Sequence, residues 1–162
     1  MKNYRTGTHT IHDIKMHFVW ITKYRKAILR GGVALRLRDL IRQISLGLDV
    51  EIVRGHVGKD HVHLLVSIPT DISASKFMQK IKGATARKLM IEFGELKKVY
   101  WGSHIWGRGY FVVSSGNVTD EVIMQYIESQ GREPESEDFS VEDAVVEGMG
   151  DFSRGEKSTY RL

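Results

Sequence analysis

The chain has 162 residues, 41% of them apolar and 27% charged, the proportions of one globular domain with a sizeable core. No stretch approaches the ~18 uninterrupted apolar residues of a membrane span, and there is no cysteine for disulfides or thiolate metal sites, which fits a reducing cytoplasm. The net charge of +4 is unevenly spread: residues 1–132 hold 21 Lys/Arg against 11 Asp/Glu, and residues 133–162 hold 3 against 9. So basic a body either attracts polyanions, nucleic acid above all, or is an ordinary charged surface.

The opening MKNYRTGTHT has no apolar block behind it, so no secretory signal is expected. Residues 12–24, HDIKMHFVWITKY, alternate around Ile14, Met16, Phe18 and Trp20 and predict a strand. Gly31 and Gly32 precede a helix with Val33, Leu37, Leu40, Ile41, Ile44 and Leu48 at helical spacing. Residues 49–58 and 59–69 predict two strands joined by a tight turn near Gly58, the second ended by Pro69. A second helix begins after Asp71 or Ser73, with Phe77, Ile81, Leu89 and Phe93 near one face and Gly83 as a weak point. Residues 106–116, WGRGYFVVSSG, predict a fourth strand, and Thr119 caps a third helix over 119–130. The order β-α-β-β-α-β plus a final helix is the ferredoxin-like, RRM-like arrangement of the α+β class: an antiparallel sheet with two helices on one face. Two segments are expected, a folded domain over 1–131 and an acidic tail over 132–162, mobile or carrying a short helix near VEDAVVEG.

The stretch GKDHVHLLVSIP, residues 58–69, sets His61, His63, Leu65 and Ser67 on one side of a strand. Val62, Leu64, Val66 and Ile68 take the other side and should pack under the helices. The histidines are then expected on the open face. They are either solvated polar residues at a strand end or two imidazole ligands for one divalent ion. On the last helix Tyr126 and Gln130 are four apart and share a face. A phenol becomes a nucleophile when a base or metal assists it, and an amide oxygen suits a hard cation. The plainer reading is a half-buried aromatic and a solvated amide. Around the fourth strand, Tyr100, Trp101, Trp106, Tyr110 and Phe111 interleave with Lys97, Lys98 and Arg108. Such a surface suits unstacked bases, or is an aromatic core with a basic rim. Lys76, Lys80, Lys82, Arg87 and Lys88 on the second helix form a phosphate track or a solvated face.

Four blocks then coincide: HFVWITKYRKAIL (17–29), GHVGKDHVHLLVSIP (55–69), WGRGYFVVSSG (106–116) and EVIMQYIESQ (121–130). In order and spacing they resemble the single-tyrosine transposases of the insertion-sequence-two-hundred type. These belong to the His-hydrophobic-His superfamily, and the likeness spans about residues 10–131. The resemblance implies that His61, His63 and Gln130 bind Mg²⁺ or Mn²⁺ and that Tyr126 is the catalytic nucleophile. It implies hairpin ends of an element, in single-stranded DNA, as substrate, cleaved and rejoined through a 5′-phosphotyrosine. It also implies a homodimer whose composite sites join the histidines of one subunit to the tyrosine helix of the other, with SSGN (114–117) as the hinge. DNA contacts are expected from Lys80, Lys82, Arg87, Lys88, Trp106 and Arg108. The alternatives are a non-catalytic single-strand-binding module, a monomeric repeat-associated relative, and a metal-dependent hydrolase of another substrate. The acidic tail departs from the family pattern.

Overall fold

A computed structural model describes residues 4–100, 102 and 104–114. Two short strands, β1 (Arg5–Thr6) and β2 (Ile11–His12), pair as a small antiparallel ribbon. Then follow β3 (Lys15–Ile21), α1 (Gly31–Gly47), β4 (Glu51–Val57), β5 (His61–Ser67), α2 (Ala74–Glu92), α3 (Leu96–Val99) and β6 (Phe111–Ser114). The main sheet has the order β4-β5-β3-β6 and every neighbour is antiparallel. This is the expected split βαβ topology. The expected helix over 119–130 and the acidic segment lie outside the described residues.

The helices form because their apolar residues recur once per turn on the side that meets the sheet. In α1, Val33, Leu37, Leu40 and Ile41 are buried; in α2, Phe77, Ile81 and Leu89 are. Both stripes join one core with Phe18 and Trp20 of β3 and with Val62, Leu64 and Val66 of β5. Ser73 starts α2 by accepting a bond from the Lys76 backbone N–H at 3.1 Å, which satisfies one orphan donor of the first turn. The helix runs unbroken through exposed Gly83.

Three departures from the sequence reading bear on the site. The first strand ends at Ile21 rather than residue 24, because a 3₁₀ turn at Lys23–Arg25 puts Tyr24 (φ 59°) and Arg25 (φ 49°) in the left-handed region. β6 starts at Phe111 rather than residue 106, and Trp106 joins the sheet only through a lone bridge to Thr22. In β4 the register shifts between Ile52 and Arg54. That bulge reverses which side chains face the helices, and the site depends on it.

Candidate functional site

β5 lies between β3 and β4. Residues directly opposite across an antiparallel pair share a face. His63 is opposite Val19 on one side and His56 on the other, and His61 is opposite Ile21. Both histidines therefore lie on the face away from the helices, as the alternation required. That face is not open to solvent at this strand: His61 is 9% exposed, while His63 and Leu65 are fully buried. Two imidazoles that the sequence reading had not singled out join them. His17 of β3 stacks on His63 with ring centroids 5.8 Å apart. His56 of β4 stands 6.2 Å from His61 and 6.4 Å from His63. His61 and His63 meet edge to face at 4.9 Å.

His17 was within reach of sequence reasoning, since alternation around Phe18 assigns it to the histidine face. His56 was not. Plain alternation from Ile52 sends residue 56 to the core side, and only the bulge returns it.

Burial sets the protonation of this patch. It lowers His63 to about 2, aided by the neighbouring His61, His17 and His56, and lowers His17 to about 4. His56 is lowered by burial, then by His61 and Arg38. His63 and His17 are therefore neutral imidazoles at physiological pH, the form that ligates a metal.

His61 is held from two sides. Its Nδ1 is 2.7 Å from Asp60 Oδ1. The other carboxylate oxygen of Asp60 accepts from Arg25 Nε and pairs with Arg25 Nη2, each at 3.1 Å. A carboxylate bonded to one ring nitrogen fixes the ring's tautomer and turns Nε2 toward ligation. Below the ring is Gly58. A Cβ there would stand 2.5, 2.7 and 3.0 Å from Cε1, Nε2 and Nδ1 of His61. The turn between β4 and β5 thus requires glycine because the imidazole occupies the space of a side chain.

The donor set of the pair suits a divalent ion: two imidazoles, His63 kept neutral by burial and His61 oriented by a carboxylate. Among the described residues no group of three or more His, Asp or Glu side chains stands where it could hold an ion. The pair thus provides two positions, and Tyr126 and Gln130 lie outside the described residues.

The expected DNA-contact residues divide. Lys80, Arg87 and Arg108 are exposed and Lys88 is half-buried. Lys80, Arg87 and Lys88 belong to the helix layer, opposite the histidine face. Lys82 and Trp106 are committed to the interior instead. Lys82 is 7% exposed, and its Nζ donates to the carbonyls of Gly107 and Gly109, both at 2.8 Å. Trp106 is 7% exposed and its Nε1 donates to Thr85 Oγ1 at 3.0 Å. Lys82 clamps the loop at whose tip Arg108 is presented; it does not offer its own ammonium to a ligand.

A ferredoxin-like sheet that carries a His-hydrophobic-His pair on a middle strand, on the face opposite its helices, defines the class. Residues 10–130 match the family described as Transposase IS200 like. The chain belongs to that family, and it is a transposase. It is 33% identical over 126 residues to the ISDra2 transposase TnpA of Deinococcus radiodurans, covering 78% of this chain and 90% of that one. It is 32% identical over 130 residues to the IS200 transposase of Salmonella typhimurium, covering 80% and 85%. A solved Deinococcus radiodurans structure, described as a transposase, superposes with a TM-score of 0.66 at 34% identity, over 78% of this chain and 97% of that one. A REP-associated tyrosine transposase bound to a REP hairpin shares the fold, with a TM-score of 0.54 at 19% identity over 79% and 69%. No helix among the described residues is long and apolar enough to cross a membrane.

Proposed function

We propose that this transposase cleaves and rejoins single-stranded DNA at hairpin ends of its element through a covalent Tyr126 intermediate. The observation that carries this reading is the His61–His63 pair, kept close on β5 and oriented by Asp60 and Gly58. The Tyr126 phenol oxygen attacks a backbone phosphorus. The bond from phosphorus to the 3′-oxygen breaks, the phenolic proton is passed to that oxygen, and a 5′-phosphotyrosine and a free 3′-OH result. Attack by a second 3′-OH reverses the step and reseals the strand. His61, His63 and Gln130 would hold Mg²⁺ or Mn²⁺, which when bound supplies positive charge to polarise the scissile phosphate. His63 and His17, neutral at physiological pH, would place no positive charge against that ion.

The REP hairpin bound by the related tyrosine transposase supports a hairpin substrate here. The working unit is a homodimer with sites composed across two subunits, and the place of action is the cytoplasm. The test is an end-labelled single-stranded element end incubated with Mn²⁺ and run on a denaturing gel. Wild type yields a protein–DNA adduct and Tyr126→Phe yields none; an equal adduct from both removes Tyr126 from its role. Mixing inactive His63→Ala with inactive Tyr126→Phe restores cleavage if the sites are shared between subunits. Binding of the hairpin with no adduct in any metal would favour a non-catalytic module.

A further inference from the structure

The turn from Thr22 to Lys26 holds the only two adjacent non-glycine residues at positive φ among the described residues. Tyr24 and Arg25 are consecutive non-glycine residues in the left-handed region, and neither is an Asn or Asp that settles there readily. At Arg25 the turn serves the ion pair with Asp60, but at Tyr24 it secures no packing, because that side chain is 77% exposed. Yet the turn is pinned on every side. Thr22 Oγ1 donates to the Lys26 carbonyl at 2.8 Å, the Lys23 backbone N–H to the Ile105 carbonyl at 2.8 Å, and the Tyr100 hydroxyl to the Lys23 carbonyl at 3.0 Å. A strained, over-determined turn that displays a large aromatic ring points to use of that ring.

The ring's surroundings indicate the use. Lys23 Nζ lies 5.3 Å and Lys26 Nζ 5.9 Å from its centroid. Lys26 also reaches the Tyr100 ring at 5.3 Å and donates to the Val99 carbonyl at 3.0 Å, and exposed Lys97 and Lys98 precede it on α3. Both ammonium groups lie over the exposed ring; a base that takes their place on its face leaves them to the phosphates on either side. The next residue, Arg25, bonds the carboxylate that orients His61, so the turn that displays this ring is tied to the histidine pair.

We infer that Tyr24 is a stacking platform for an unpaired base of single-stranded DNA, with Lys23 and Lys26 on the adjoining phosphates. The inference rests on the reading above that single-stranded DNA is the substrate. The test uses fluorescence anisotropy with labelled oligothymidylate and an abasic oligonucleotide of the same length, at low salt. Tyr24→Asn keeps a residue that tolerates the left-handed backbone and removes the ring; Tyr24→Phe keeps the ring. The expected result is a loss of about 5- to 150-fold in oligothymidylate affinity for Tyr24→Asn, none for Tyr24→Phe, and none for either variant on the abasic strand. Wild-type affinity in Tyr24→Asn, or an equal loss on both strands, overturns the stacking role and leaves the transposase reading intact. A wild-type protein that binds neither strand overturns both.

Discussion

Replacing Gly58 by alanine tests the histidine site without touching a histidine. The new Cβ would stand 2.5 to 3.0 Å from three atoms of the His61 ring, roughly 0.5 to 1 Å inside ordinary carbon contact. The ring cannot yield cheaply. Its Nδ1 is held at 2.7 Å by Asp60, and its side chain is only 11% exposed. If the ring stays, the overlap costs about 1–3 kcal/mol, as overpacking does. If it swings away, the bond to a carboxylate is lost, about 1.5–3 kcal/mol, and with it the orientation that a metal would need. Loss of such an orienting partner lowers metal affinity about 10- to 100-fold. Urea unfolding gives the stability, and Mn²⁺ binding followed by electron paramagnetic resonance gives the affinity. The control is the same substitution in a His61→Ala background, where no ring is present and Gly58→Ala should cost close to nothing. An equal cost in both backgrounds would refute the claim that the imidazole is what requires glycine.

Asp60→Asn keeps an acceptor for His61 but withdraws the charge shared with Arg25, and Mn²⁺ affinity should fall about 10- to 100-fold; unchanged binding would show that Asp60 does not tune the site. Lys82→Met keeps the buried stem and leaves the Gly107 and Gly109 carbonyls without their donor. Stability should drop by about 1.5–3 kcal/mol, with faster amide exchange around Arg108; unfolding at the wild-type urea midpoint would contradict the clamp. The metal-free protein should also lose stability in acid. His17 is neutral in the fold with its value lowered to about 4, so from its ordinary value of 6.5 down to 4 the unfolded chain binds the extra proton. Stability from this group is whole above pH 6.5, falls through that window by up to about 3 kcal/mol, and levels off below it. His17→Leu should remove that part of the slope in urea midpoints measured across pH, and an identical slope would refute it.

Where side chains follow one period, the chain could be read directly. Val62, Leu64, Val66 and Ile68 against His61, His63, Leu65 and Ser67 is an unbroken alternation. The two helix stripes are equally regular, and the sheet order follows from them. What escaped the reading has local physical causes. The first strand ends at a turn built on Tyr24 and Arg25, with no glycine or proline to announce it. The bulge in β4 changes the phase of alternation and brings His56 to its neighbours. Arg25 reaches Asp60 only because the backbone turns left-handed after Thr22, which a periodic pattern does not encode. Lys82 could have been recognised. Met78, Thr85 and Leu89 are buried on the same stripe of α2, and a lysine on such a stripe needs acceptors for its ammonium.

The placement of the pair also explains why so polar a feature sits in so closed a position. The metal-binding role proposed for the pair would need ligands that are neutral and do not move. Solvent exposure would leave an imidazole with an ordinary titration and a mobile ring. β5 has a hydrogen-bonded neighbour on both sides along its whole length, so its backbone is the least free part of the sheet. Burial of His63 among three other imidazoles removes its proton, and Asp60 with Gly58 fixes the ring of His61. Contact with a long, flexible polyanion makes the opposite demand, for exposed cations and rings on turns that protrude. Thr22 to Lys26 and the loop around Arg108 meet that demand. Each is tied back to the rigid layer, the first through Arg25 and Asp60 and the second through Lys82.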